Sequence, residues 1–173
     1  MMRSVMMLVL AICSTTAWFA SPVSGESASA ANREALAKEL RGAWLPLESG
    51  ITLIRSEGMP ISAKYEIDGG TFQLSVYTVN GDHVSEVVVD YSVGTIAKVE
   101  TLRDSEDLEA ADDQKQAMAS ATRSLDAATA DAVQTNPGYR AVSVMPRLQD
   151  GRPIAEIALV NGTDWRVVRA RLD

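Results

Sequence analysis

Two stretches of the chain show the same order of hydrophobic and polar positions. In each stretch a helical pattern, with apolar residues every three or four positions, precedes runs in which apolar and polar residues alternate. Residues 70–81 align with residues 151–162, and both segments end in Val-Asn-Gly. The alignment predicts one folding unit that occurs twice and keeps the same inward-facing positions in both copies, Leu74, Val76 and Thr78 in the first and Ala155, Ile157 and Leu159 in the second.

The first unit is predicted to contain helices followed by strands. Helical spacing covers 32–44 and 47–57, and Gly58 ends the second segment. Because Asn-Gly pairs tolerate the positive φ of hairpin turns, the turn at Asn80-Gly81 indicates an antiparallel meander. Its four predicted strands cover residues 61–67, 71–79, 84–90 and 95–102.

The second unit is predicted to begin with one long helix over 105–134. Ser105 is the expected N-cap, acidic residues follow it in the first turn, and Asn136-Pro137-Gly138 ends the helix. Three strands are expected over 139–148, 153–160 and 165–172, with no fourth strand. The predicted fold class is α+β: two tandem helix-plus-antiparallel-sheet units, over 31–103 and 104–173, joined by the long helix.

The first thirty residues resemble a secretory signal peptide, with Arg3 before an apolar run and small residues after it. Cleavage is expected after Gly25 or after Ala30, which predicts a periplasmic or secreted protein. The alternative is an uncleaved anchor, although the apolar run is shorter than the roughly 20 residues that span a bilayer. Lipidation of Cys13, the sole cysteine, is a further alternative, although Ile12 stands where a small residue is preferred.

Charge is unevenly distributed along the chain. The formal net charge of −7 argues against a nucleic-acid partner. Acidic residues dominate positions 82–113, and basic residues dominate from 139 onward. Solvated polar faces and a docking surface for a charged protein partner both explain this pattern. The candidate partner surface consists of Arg166, Arg169 and Arg171 on the last strand and Tyr77 beside the first hairpin.

The last predicted strand is a potential sheet edge. Its positive charge either protects that edge from association or selects a partner strand. Both interpretations stay open at the level of sequence.

Motifs for catalysis or metal binding are not found. The single histidine, His83, lies in a predicted turn, and no calcium loop, phosphate-binding loop or Gly-x-Ser-x-Gly segment occurs. The sequence therefore predicts a protein that is not an enzyme and has no cofactor. Trp44 and Trp165 fall on predicted apolar faces, where core packing is expected.

Several segments resemble the PepSY domain family. In the first unit these are residues 59–67 (Met-Pro-Ile-Ser-Ala-Lys-Tyr-Glu-Ile), 73–77 (Gln-Leu-Ser-Val-Tyr) and 86–90 (Glu-Val-Val-Val-Asp), followed by Gly94. In the second unit, residues 137–144 and 150–157 are similar to small secreted proteins that carry this domain. The second unit departs from the pattern at Arg166-Val167-Val168-Arg169, where the first has an acidic and aliphatic strand.

The resemblance implies a helix packed on an antiparallel sheet in a bacterial envelope or secreted setting. Related modules occur in the propeptides of thermolysin-type peptidases and are thought to restrain them. The family has no established catalytic residues to transfer to this chain. The expected function is a noncatalytic binding module that modulates a peptidase or another envelope protein. A small apolar-ligand carrier and a structural envelope protein are the alternatives.

Overall fold

A computed structural model describes residues 26–173 of the chain. The predicted leader up to Gly25 lies outside the described residues. Within the described part, no helix is both long enough and apolar enough to cross a membrane. The helices are α1 (Glu26–Leu40), α2 (Leu47–Leu53), α3 (Ser105–Ala119) and α4 (Leu125–Gln134), and the strands are β1 (Met59–Asp68), β2 (Thr71–Asn80), β3 (His83–Asp90), β4 (Thr95–Thr101), β5 (Arg140–Gln149), β6 (Arg152–Asn161) and β7 (Asp164–Arg171).

The strands form one seven-stranded antiparallel sheet in the order β4-β3-β2-β1-β5-β6-β7. The mixed α+β class and the seven predicted strands are therefore confirmed. The two meanders meet where β1 pairs with β5, and Ala63 lies opposite Val144 at that junction. Both residues are buried, so the junction lies within the core of the molecule.

The strand registers repeat along the chain. Each position in the second meander lies 81 residues after its counterpart in the first, just as Gly151 lies 81 residues after Gly70. A register shift marks a β-bulge at Ile61 in β1, and a second shift marks one at Val142, the counterpart position in β5. Because a bulge changes which side chains face the core, its repetition is stronger evidence of duplication than the shared Asn-Gly turns.

The hairpin turns also correspond in backbone conformation. Gly69 has φ of 54°, and its counterpart Asp150 has φ of 52°. Asp150 is the one non-glycine residue with positive φ in the described chain. Aspartate tolerates this left-handed conformation better than most residues do, so the turn is kept without a second glycine.

Because successive side chains of a strand point to opposite sides, the sheet has two faces, which we call face A and face B. Face A carries Leu74 and Ile157, and face B carries Ser75 and Glu156. Helices α2 and α4 pack against each other and against face A. The 81-residue offset also relates buried residues of these two helices: Leu47 and Ile51 of α2 correspond to Ala128 and Ala132 of α4. The main core therefore lies between this helix pair and face A.

The predicted long helix over 105–134 is wrong, because the chain forms α3 and α4 with a break between them. At the break, the backbone N–H groups of Thr122 and Arg123 donate to the carbonyl oxygen of Leu172, at 2.7 and 2.9 Å. These tertiary hydrogen bonds replace helical ones and carry the chain around the end of the sheet. The predicted N-cap is also corrected by one residue, since Asp104 accepts the hydrogen bond from the Glu106 amide.

Helix α3 packs on face B, opposite α4. Ala111 of α3 lies in a small apolar cluster with Tyr77, Val84 and Ile61. Tyr77 is consequently only 7% exposed, so the expectation that it is exposed beside the first hairpin is wrong. The residues of the predicted long helix are thus divided between the two faces of the sheet.

Of the two tryptophans predicted to pack in the core, Trp44 does not and Trp165 does in part. Trp44 is 61% exposed, because α1 ends at Leu40 and leaves Trp44 in the loop before Pro46. Its indole N–H donates to the Ser92 carbonyl oxygen. Trp165 is partly buried against the main core, as predicted, and the Arg33 guanidinium lies 5.9 Å from its ring centroid.

Candidate functional site

Face B of the first meander carries a partly buried polar cluster. Lys64 forms an ion pair of 2.7 Å with Glu66 and lies 5.4 Å from the centroid of the Tyr77 ring. On the neighbouring strands, the Ser75 hydroxyl donates to Glu86 Oε1 at 2.6 Å, and Gln73 Nε2 donates to Ser75 Oγ at 2.9 Å. The strand pairing therefore brings glutamates of β1 and β3 close to one lysine of β1.

Burial changes the acidity of this cluster. Burial raises the pKa of Glu86 above its usual range, and the hydrogen bond from Ser75 opposes that rise. Glu86 also lies directly opposite Glu100 in the β3–β4 register, and like charges in that position destabilise a sheet. Burial likewise raises the pKa of Tyr77, with the Glu86 carboxylate acting in the same direction. The Tyr77 side chain is packed in the small apolar cluster and is not part of an exposed partner surface.

Face B of the second meander is basic and more exposed. Glu156 on β6 lies between two arginines: Arg147 Nη2 approaches its Oε1 at 2.8 Å, and Arg169 Nε approaches the same atom at 2.9 Å. Arg171 pairs with Asp173 at 2.8 Å. Val167 lies on the same face of β7 as Arg169 and is 64% exposed. The result is a charged surface around an exposed aliphatic side chain, which we call the β7 surface: Arg147, Glu156, Val167, Arg169 and Arg171.

Counterpart positions on the two halves of face B carry inverted chemistry. The basic residues of the β7 surface stand where the first meander has acidic or apolar ones, and Val167 replaces the half-buried Glu86. The counterpart pairs are Glu66 and Arg147, Ser75 and Glu156, Glu86 and Val167, Val88 and Arg169, and Asp90 and Arg171.

Arg166 does not belong to the β7 surface. Alternation along β7 places it on face A, opposite Leu159, whereas Arg169 and Arg171 lie on face B. Its guanidinium lies 3.8 Å from the Tyr139 ring centroid and donates to Asn136 Oδ1 at 3.1 Å. Arg166 also donates to the Tyr139 hydroxyl, which in turn donates to Asp164 and thereby has its pKa raised. Arg166 therefore closes the end of the main core.

Sequence reasoning missed Arg147 and Glu156 as members of this surface. The signal that could have identified them is the repeat alignment itself, because Arg147 and Glu156 stand at positions that the first unit fills with Glu66 and Ser75. Their contact across β5 and β6 depends on the register, which the alignment alone did not provide.

Among the described residues, β4 and β7 each pair with a neighbour on one side only. Both sheet edges therefore have backbone groups that can pair with another strand. His83 is exposed at the start of β3, and no group of three or more His, Cys, Asp or Glu side chains in the described part of the chain could hold a metal ion.

Two shallow open grooves lie beside α2 and α4. One has a volume of about 280 Å³ and is lined by residues that include Glu48, Thr52 and Ala130. The other has a volume of about 360 Å³ and includes Met59 and Leu125. Asp126, which is held by Arg55 at 2.7 Å, lies between them. With Asp126 paired to Arg55, Glu48 is the remaining charged side chain that lines these two grooves.

Comparison with known proteins gives a weak structural similarity. A proposed lipoprotein from Clostridium difficile 630 matches with a TM-score of 0.44 and 15% sequence identity, over 75% of this chain and 87% of that chain. No protein-family model and no curated protein matches the chain.

Proposed function

We propose that the protein is a noncatalytic binding module of the bacterial envelope or the secreted fraction. It binds an extended acidic segment of a partner protein along β7. The observation that supports this proposal is the inverted chemistry of face B, which places Arg169, Arg171 and exposed Val167 beside an open strand edge. The PepSY resemblance favours a peptidase as the partner that is restrained.

Strand addition explains how such a surface binds. A partner strand beside β7 pairs with its unpaired backbone groups, and alternate side chains of that strand lie over face B. An apolar side chain of the partner contacts Val167, and flanking carboxylates approach Arg169 and Arg171. Affinity then comes from backbone hydrogen bonds, while charge selects the partner.

Arg169 and Arg171 each have a carboxylate partner within the protein, and each can exchange it for a carboxylate of the bound segment. Their side chains are largely exposed, and exposed ion pairs contribute only about 0–1 kcal/mol. Replacing Glu156 or Asp173 by a carboxylate of the partner therefore has a small net cost. The same positive charges oppose pairing with another basic strand, so protection of the edge and choice of an acidic partner have one physical basis.

A charge-reversal experiment tests the proposal. The protein and its Arg169→Glu/Arg171→Glu variant are immobilised and exposed to an envelope extract of the source cell, and bound proteins are identified by mass spectrometry. A Lys38→Glu/Arg41→Glu variant is the matched control, since both residues are exposed on or just after α1 and the change in net charge is the same.

We expect a saturable partner that the parent and the control retain and the β7 variant loses by at least about tenfold in affinity. If that partner is a peptidase, the purified protein should inhibit it, and the β7 variant should not. Equal retention by both variants would exclude the β7 surface, and absence of any saturable partner would exclude the binding function.

A further inference from the structure

Strand β4 forms the sheet edge opposite β7 and is exposed along almost its whole length. Only Ile96 is partly buried, and Val99 is 47% exposed. Lys98 and Glu100 on either side of Val99 form an ion pair of 2.7 Å with each other, and both side chains are 56% exposed. This edge therefore combines an exposed aliphatic side chain with one charge of each sign.

The sequence of β4 is self-complementary about Val99. When the regular part of the strand is read outward from Val99, Lys98 on one side is matched by Glu100 on the other. In an antiparallel pair centred on Val99, each residue lies opposite the one at the same distance on the other side of the centre. A second copy of β4 thus places Glu100 opposite Lys98 twice, and Val99 opposite itself.

We infer that β4 is the self-association edge of this protein and that its partner is β4 of a second copy. The contact is isologous and closes at a dimer, because the two strands are related by a two-fold axis through Val99. The sheet then continues from one copy to the other. The molecule already contains the same arrangement internally, where Ala63 of β1 lies opposite its own counterpart Val144 of β5.

Charge disfavours self-association through β7, since this strand carries Arg166, Arg169 and Arg171 with no acidic residue between them. An antiparallel β7 pair centred between Val167 and Val168 places Arg166 opposite Arg169, and like charges in that position repel. The β4 pair places unlike charges opposite each other. The register shift between β3 and β4 at Ala97 limits the regular part of the edge to Lys98–Thr101, so the association is expected to depend on concentration.

Charge swapping provides the test. Purified full-length protein is examined by sedimentation equilibrium over a range of concentrations, together with Lys98→Glu, Glu100→Lys and the double variant Lys98→Glu/Glu100→Lys. Each single variant places like charges opposite each other at both symmetric positions. The double variant has the net charge of the parent and again places unlike charges opposite each other. Circular dichroism checks that all four proteins are folded.

We expect the parent and the double variant to form dimers of twice 18.6 kDa, with any cleaved leader subtracted from each copy. Each single variant should dissociate at a concentration about tenfold higher or more. A parent that is monomeric throughout would overturn the inference. Equal association of all four proteins, failure of the double variant to recover association, or growth beyond a dimer would also overturn it, since each is incompatible with a closed β4 pair.

Discussion

The two halves of the sheet share a backbone but differ in chemistry. Their registers, bulges and hairpin turns correspond, and the inward-facing sets on face A are buried in both halves. On face B, Glu86 of the first half stands where the second half has exposed Val167, and Val88 stands where the second has Arg169. The two halves therefore share the arrangement of their core face, while the chemistry of the opposite face differs between them.

The halves also reach similar burial by different packing. In the first half, Gly50 of α2 lies close to Leu74 of β2, and a Cβ atom at position 50 would be 2.4 Å from Leu74 Cδ2. In the second half the counterparts are Asp131, which is exposed, and Ala155, which is fully buried. In the first half a large strand residue, Leu74, thus packs under a glycine, whereas the second half has the small residue Ala155 at the position of Leu74.

The largest expected effect comes from substitutions at the contact between Gly50 and Leu74. Leu74→Ala should lower the free energy of unfolding by about 2–5 kcal/mol, because it leaves a cavity under α2. Gly50→Ala should lower it by about 1 kcal/mol, since overpacking against Leu74 exceeds the gain in helix propensity. In the Leu74→Ala background, Gly50→Ala should instead be stabilising, because the new methyl group enters the vacated space.

Urea unfolding of the four proteins measures this coupling. Asp131→Ala serves as the control at the counterpart position and should change stability by less than about 1 kcal/mol, since the Asp131 side chain is largely exposed. Additive effects of Gly50→Ala and Leu74→Ala would contradict the proposed contact.

A smaller effect on stability is expected to distinguish Arg166 from Arg169, which lie on opposite faces of β7. Arg166→Ala should lower the free energy of unfolding by about 1 kcal/mol, because it removes the guanidinium from the Tyr139 ring and from Asn136. Arg169→Ala should change it by less than about 0.5 kcal/mol, since Glu156 keeps its contact with Arg147. Thermal unfolding compares the two variants; equal melting temperatures would show that the face A position of Arg166 has no structural role.

The smallest expected effect is a pH-dependent change in the free energy of unfolding when Glu86 is replaced by glutamine. Burial raises its pKa in the folded protein, so the ionised carboxylate is unfavourable to folding and its protonation is favourable. At neutral pH, Glu86→Gln should therefore stabilise the protein by less than about 1 kcal/mol, in part by removing the opposition to Glu100. The advantage should shrink as pH falls through the raised pKa toward the usual range of glutamate.

Urea midpoints at a series of pH values between neutral and mildly acidic measure this difference. The counterpart Val167 provides the control: Val167→Glu should not be destabilised relative to Val167→Gln at neutral pH, because that position is exposed and lies on the same face of β7 as Arg169. A Glu86→Gln advantage that is constant with pH would mean that the carboxylate of Glu86 is not the titrating group.

Much of the fold could be predicted from alternation and turn residues. The strands were located within a few residues, because Asn80-Gly81 and Asn161-Gly162 mark the hairpins and apolar positions alternate between them. The helix break could not be predicted, since residues 120–124 leave the helical conformation for hydrogen bonds to Leu172, which is distant in sequence. Exposure of Trp44 and burial of Tyr77 likewise depend on where loops and α3 are placed.

The candidate site was only partly visible in the sequence. The basic character of the last strand is evident in the sequence, and the structure places Arg169 and Arg171 on one face of β7. Arg166 was grouped with them because linear proximity does not distinguish the faces of a strand that is paired in an unknown register.

Local sequence is enough to locate the strands, the corresponding hairpin turns and the acidic and basic segments, because these depend on neighbouring residues and local turn conformation. It does not specify that the two meanders join through β1 and β5, that helices α3 and α4 lie on opposite faces, or that Arg147 reaches Glu156. These features arise from pairing and packing between segments far apart in the chain, and local sequence does not specify which distant partner each segment will bury.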